Sequence, residues 1–338
     1  MDPLTQATLG AAVAAVFSSR DCVRRAIIVG ALAGAAPDVD VFIRSETDPM
    51  LALEYHRHFT HAILFAPVIG LIVAALYKGL FFWKKIQFLK IAPFAVVGAL
   101  THGLLDACTS YGTLLYLPFS KHRESWDIIS IIDPIFTIPL VVMTICAFRF
   151  RKPLFAKSVI GFCLLYLCFG VYQRERAQDF AEALALQRGH TEISQLTARP
   201  SFANTILWRI VYRVEDRYFV DAVQLQPFST PVHYVGSSVD AFTVEDRQDL
   251  FDSEALLGVD IERFRFFSQG YLYRYPGDEQ VLGDLRYAMF PDSIQPLWGI
   301  RVDSGQSDAH TEFVYYRDAS KSAFGRFWKM IQGKPVDY

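Results

Sequence analysis

The residues best suited to chemistry in this chain are His56, His58 and His61, three imidazoles within six residues. Eight histidines occur in all, so one hexapeptide holds over a third of them. Imidazole is the commonest protein metal ligand and the usual general base. A solvated loop ahead of a helix would also explain such a segment taken alone. Its neighbours change the reading. Asp38 and Asp40, His102 and Asp106, and Asp133 all stand at ends of apolar segments. His102 and Asp106 are four apart, so on a helix they share a face with Cβ atoms about 5–6 Å apart. That suits a His and a carboxylate gripping one ion. His58 and His61, three apart, can do the same if their helix starts early. Asp38 and Asp40 alternate on an extended chain, so one ligates while the other orients a ligand.

Mixed imidazole and carboxylate donors favour zinc, manganese or iron over calcium or magnesium. The candidate ligands are Asp38, His56, His61, His102, Asp106 and Asp133, enough for one ion or two. Two ions would stabilise both the attacking and the leaving oxygen in phosphoester cleavage. Arg57 could hold an anionic group. His58 or His122 could donate a proton to the leaving group, and Asp40 completes the candidate catalytic set. Each residue also has a plainer reading. His102 with Asp106 could be a hydrogen bond inside a bundle, and Asp38 or Asp40 could solvate a helix end. Asp133-Pro134 could simply start a helix, with Asp as N-cap and Pro at N1.

The elements that must position these residues are apolar. The chain is 338 residues long, 52% hydrophobic and 20% charged, and nearly all long apolar runs fall in residues 1–173. Candidate spans are Ala26–Ile43, Ala62–Phe82, Ile91–Leu105, Ser130–Phe148 and Lys157–Tyr172, with Leu4–Phe17 as a shorter sixth. Pro37 predicts a break near Ala36. The Ala- and Gly-rich first segment should pack closely on other membrane helices. The five cysteines lie in this half without zinc-finger spacing and read as small apolar fillers. The basic clusters Arg20/Arg24/Arg25, Lys78/Lys84/Lys85/Lys90 and Arg149/Arg151/Lys152/Lys157 fall in alternate loops. By the positive-inside rule those loops are cytoplasmic. Every candidate site residue then lies on the opposite side, with the second domain. Bare charges at membrane depth cost roughly 2.5–3.5 kcal/mol each on insertion scales. A divalent cation or a water-filled vestibule would offset them.

Residues 174–338 read as a soluble domain. Arg174–Arg188 predicts a helix, Ile206–Val214 and Tyr218–Leu225 a hairpin, and Arg247–Leu257 a further helix. Arg263–Tyr275, Leu285–Phe290, Leu297–Val302 and Glu312–Tyr316 predict strands. The expected architecture is a polytopic α-helical membrane domain of about six helices, followed by a soluble α+β domain with a mainly antiparallel sheet. A net charge of −2 argues against a general nucleic-acid binder.

Several spaced motifs resemble the bacterial YdjM-like inner-membrane proteins, a family of membrane-bound metal-dependent hydrolases. They are Met1-Asp2-Pro3-Leu4-Thr5-Gln6 with Gly10, Pro37-Asp38-Val39-Asp40, His56-Arg57 with Thr60-His61, and His102 to Asp106 with Thr109 and Gly112. Many members have His where this chain has Gln6, and often Gly where it has His58. The resemblance covers about residues 1–135 and implies a metal-dependent hydrolase in the inner membrane. The motifs are distantly similar to those of zinc phospholipase C, which implies a phosphoester substrate. A site at bilayer depth points to a lipid or lipid-linked ester. The rival is a non-enzymatic metal-binding protein or transporter. A transporter would need ionisable residues along whole helices, and Phe65–Leu76 and Pro139–Ala147 have none.

Overall fold

Proline and small residues set the helices that carry the site. A computed structural model describes all residues except 83–84, 244–254, 304, 306–307, 318–319 and 337–338. The chain divides into two units. The first comprises Met1–Ile43, Tyr55–Val171 and Phe202–Asn204, and the second Arg44–Glu54, Tyr172–Ser201 and Thr205–Tyr338.

The first unit is helical. Helix α1 (Pro3–Val16) has Pro at its first turn and Asp2 as N-cap, which accepts from the Thr5 amide at 3.0 Å. Helix α2 (Val23–Ala35) gives way at Ala36 to a 3-10 turn, Ala36–Phe42, as Pro37 predicts. After helix α3 (Pro49–Tyr55), which lies in the second unit up to Glu54, come a 3-10 turn at Phe59–His61 and α4 (Ala66–Leu80). Then come α5 (Phe88–Cys108), α6 (Pro134–Phe150) and α7 (Pro153–Gln187), the last continuing into the second unit.

Helices α1, α2 and α5 meet at glycines. A Cβ on Gly10 would lie 2.5 Å from the Gly30 carbonyl oxygen, and one on Gly98 would lie 2.6 Å from that same atom. Only hydrogen at these positions lets the backbones touch, the small-residue packing that membrane helices use. Outward, Leu71, Ile72, Ile138, Val142, Leu164 and Leu165 are exposed apolar side chains, as lipid-facing surfaces require.

The number of spans differs from expectation. Two described helices, Phe88–Cys108 and Pro153–Gln187, are long and apolar enough to cross a membrane. The count rises to three if Pro49–His61 and Ala66–Leu80, bent by 83°, form one broken span. Six spans are not supported. At 1.5 Å per residue, α1, α2 and α6 reach only about 21, 20 and 26 Å, short of a hydrocarbon core of about 30 Å.

The second unit is mainly antiparallel sheet. Strands β1 (Ile193–Pro200), β2 (Leu207–Val214), β3 (Arg217–Gln224) and β4 (Val232–Tyr234) pair in order, and β5 (Ser238–Asp240) also pairs with β3. The predicted hairpin is β2–β3, turning through Glu215-Asp216 with Val214 opposite Arg217. Ala177, Ala181 and Ala185 recur every fourth residue on α7, so that helix lies close against Trp208, Ile210 and Tyr212.

Helix α8 (Leu256–Phe267) precedes a second sheet of β6 (Leu272–Arg274), β7 (Val281–Asp284), β8 (Trp298–Arg301) and β9 (Glu312–Tyr315). Helix α9 (Lys321–Ile331) follows. Two strand expectations need correction. Arg263–Phe267 is helical, because Leu257, Ile261 and Phe264 are buried at helical spacing. The strand expected at Leu285–Phe290 lies earlier, at Val281–Asp284. Strand β1, which ends at Pro200, was not anticipated. Most of the helix expected at Arg247–Leu257 lies outside the described residues.

Candidate metal centre

The histidine segment enters the first unit through a strained residue. Arg57 has φ of +62°, a left-handed conformation that turns the chain so His56 and His61 flank it differently. The Asp40 carboxylate locks this turn. Its Oδ2 accepts from the Arg57 amide at 2.9 Å and from Thr60 Oγ1 at 2.9 Å, while Oδ1 lies 3.1 Å from His56 Nδ1.

His61 and His102 meet at their Nε2 atoms, 2.9 Å apart and buried. Both rings are oriented from behind. His102 Nδ1 lies 2.6 Å from the Gly34 carbonyl oxygen and must donate to it. His61 Nδ1 lies 3.0 Å from Thr60 Oγ1 and 3.2 Å from Asp40 Oδ2. With both Nδ1 atoms as donors, the two Nε2 lone pairs converge on one point. Asp38 Oδ1 faces that point, 3.5 Å from His61 Nε2 and 3.3 Å from His102 Nε2.

Asp38, His61 and His102 therefore each offer an atom within 4.8 Å of the others. Two of the three separations, 3.3 and 3.5 Å, are near those of zinc ligands, and the Nε2–Nε2 distance of 2.9 Å is shorter. Bonds of about 2.0–2.1 Å place tetrahedral ligands about 3.3–3.4 Å apart. Three protein donors would leave a fourth position open.

Asp106 lies beside the triad, at distances from the two Nε2 atoms like those of Asp38. Its Oδ2 lies 3.2 Å from His61 Nε2 and 3.7 Å from His102 Nε2. Its Oδ1 accepts from the Met1 amino group and from Gln6 Nε2 at 2.8 Å. Arg57 Nε stands 3.2 Å from Asp106 Oδ2, and Arg57 Nη1 donates to Thr109 Oγ1 at 3.0 Å. Tyr111 stacks beneath that guanidinium at 4.7 Å. Arg57 is thus buried against Asp106 rather than turned to solvent.

The other candidates are placed differently. His56 bonds to Asp40, sets its ring edge-on to His61 at 6.1 Å, and keeps 27% of its side chain exposed. His58 turns away, with its ring near Tyr55 and Phe59. His122 is exposed on the long loop after α5. Asp133 caps α6: its Oδ1 accepts from the Ile135 and Phe136 amides at 3.0 and 3.2 Å, and Tyr166 donates to its Oδ2 at 2.8 Å. With both oxygens taken and no place in the triad, Asp133 fits the capping role and not a ligand role.

Sequence reasoning missed the Gly34 carbonyl and Gly103. A Cβ on Gly103 would lie 2.0 Å from the His61 carbonyl oxygen, so only glycine admits His61 beside His102. The signal was an isolated glycine in an apolar helix, directly after a candidate ligand. Gln6 reads from sequence as a lost ligand, yet it supports Asp106.

A second group, Asp48, Asp260 and His310, also has ligand-like spacing within the second unit. Arg263 already joins it, donating to Asp48 at 3.0 Å and to Asp260 at 3.1 Å, and Glu54 pairs with the same arginine. Burial tends to raise the Asp48 carboxyl, but the Arg263 bond and charge outweigh it and hold the group below its usual range. Arg263 thus supplies positive charge at the middle of this carboxylate group.

Apolar helices enclosing a buried histidine–carboxylate triad define a helical membrane protein with a candidate metal centre. The model of the YdjM inner membrane protein family matches residues 1–177, more than half the chain. The protein belongs to the YdjM inner membrane protein family. No curated protein and no solved structure matches it.

Proposed function

We propose that this protein is a membrane-embedded metal-dependent hydrolase acting on an ester or phosphoester of a lipid or lipid-linked substrate. The observation that carries the reading is the convergence of His61 Nε2, His102 Nε2 and Asp38 Oδ1 at separations of 2.9, 3.3 and 3.5 Å. Zinc is the preferred ion, with manganese or iron as alternatives. When bound, it would supply an acidic water and polarise the scissile group's oxygen.

The chain's own residues do the rest. Asp40 and the Gly34 carbonyl fix the tautomers of His61 and His102. Asp106 Oδ2 is buried 3.2 Å from His61 Nε2, with Arg57 Nε on its other side, so it is the candidate base beside the open position. Arg57 Nε, 3.2 Å from Asp106 Oδ2, fixes where that carboxylate points. His56, partly exposed and bonded to Asp40, is placed to exchange protons with solvent. We place the centre and the second unit on the periplasmic side, from the positive-inside pattern of the loops.

The burial of His61 and His102 favours a second reading, a non-enzymatic metal-binding membrane protein. Of the triad, only Asp38 reaches solvent, at 21% exposure. Asp106→Asn separates the two. The hydrolase reading expects metal retained and turnover of phospholipid or generic phosphodiester substrates reduced at least about 100-fold. Retained metal with no hydrolysis by the wild type on any lipid ester or phosphoester tested would favour the second reading.

A further inference from the structure

Helix α9 has two apolar faces. One, formed by Phe327, Met330 and Ile331, packs on Leu207, Ala222 and Tyr234 of the first sheet of its own unit. The other displays Phe324 and Trp328, one turn apart and 56% and 61% exposed. An aromatic pair so open is costly in water.

Its surroundings are basic. Residues 320–336 contain Lys321, Arg326, Lys329 and Lys334 and no acidic residue, in a chain whose net charge is −2. Arg326 donates to Asp292 at 2.6 Å and stacks on Phe290 at 4.3 Å, so it serves the fold. Lys321, Lys329 and Lys334 are exposed. Exposed aromatics flanked by exposed lysines make the pattern of a helix lying in a membrane interface. The rings enter the headgroup boundary, and the lysine stems follow while their ammonium groups meet lipid phosphates.

We propose that the Phe324/Trp328 face of α9 docks on the headgroup layer of a bilayer containing anionic lipid. The partner is chosen by charge complementarity and by the chain's membership of an inner-membrane family, which keeps a bilayer within its reach. This inference does not depend on the hydrolase reading, and it gives the second unit a membrane contact of its own.

The test uses the full chain in nanodiscs of zwitterionic lipid with or without phosphatidylglycerol. Trp328 is one of five tryptophans, so its emission is the difference between wild type and Trp328→Phe. The expected result is quenching of that emission by brominated acyl chains and at least threefold protection from aqueous iodide, both stronger with phosphatidylglycerol. The Lys321→Glu/Lys329→Glu/Lys334→Glu variant should lose both effects while keeping wild-type metal content. Trp328 emission that stays open to iodide and insensitive to brominated lipid would overturn the proposal. So would protection without lipid quenching, accompanied by disulfide-linked dimers of Phe324→Cys, because a second copy would then cover the face.

Discussion

At the scale of single residues, the centre depends on how two imidazoles are turned. Asp40 acts on the His61 side of the pair, where it holds His56, Arg57, Thr60 and His61 together. Asp40→Asn should therefore weaken zinc binding about 10–100-fold, the usual cost of losing a group that orients a ligand. Competition with a chromophoric chelator measures it, and unchanged affinity would remove Asp40 from the design. A residue-scale prediction for the second unit concerns Asp221. It receives Arg188 at 2.6 and 2.9 Å and His233 Nε2 at 2.9 Å. Burial would raise its carboxyl, but the bonds from His233 and Arg188 outweigh this and hold it below the usual range. A depressed folded value contributes stability that is complete above the unfolded carboxylate value, about 4, and is lost as pH falls through the folded one. Asp221→Ala should destabilise the unit by about 1–3 kcal/mol at pH 7, with the gap to wild type closing below about pH 4. Hydrogen exchange across β2 and β3 follows it. An equal gap at pH 3 and pH 7 would contradict the assignment.

At the scale of elements, the site is assembled by close helix packing. Gly103 lets the His61 backbone approach α5, so Gly103→Ala must push the 3-10 turn at Phe59–His61 away from His102. We expect at least a tenfold loss of metal affinity with every ligand intact, read by the same titration. Wild-type affinity would show that the turn relaxes freely. This scale also explains what the sequence disclosed. Pro37 announced the break after α2, and Glu215-Asp216 announced the β2–β3 turn, because local sterics decide both. The pairing of His102 with Asp106 on α5 was legible from four-residue spacing. Which of Asp38 and Asp40 would face the two Nε2 atoms was not, because a 3-10 turn aims its side chains differently from the extended chain assumed. Asp133-Pro134 was open to a ligand and to an N-cap reading, and the fold adds the Ile135 and Phe136 amides and Tyr166 that engage its two oxygens. Residues 263–267 looked like strand because the aromatic run Arg263-Phe264-Arg265-Phe266-Phe267 alternates locally. Burial of Leu257, Ile261 and Phe264 along one helix face overrode that alternation.

For the whole molecule, the histidine and aspartate residues belong to a family-defining helical region, and the second unit lies mostly beyond the family match. Orientation is the first claim at this scale. Phe228 stands on a fully exposed loop of the second unit. In a cysteine-free background, Phe228→Cys should react with a membrane-impermeant maleimide added to intact cells, as a periplasmic unit requires. Labelling only after lysis would place it in the cytoplasm. The central claim is that Asp38, His61 and His102 hold a transition metal. Elemental analysis of chelator-free protein tests it most directly, with wild type beside His61→Ala and His102→Ala. The account predicts about one equivalent of transition metal, zinc foremost, in the wild type and less than about one tenth of that in folded preparations of either variant. Substoichiometric metal in the wild type that zinc addition does not restore, or equal metal in all three proteins, would contradict it.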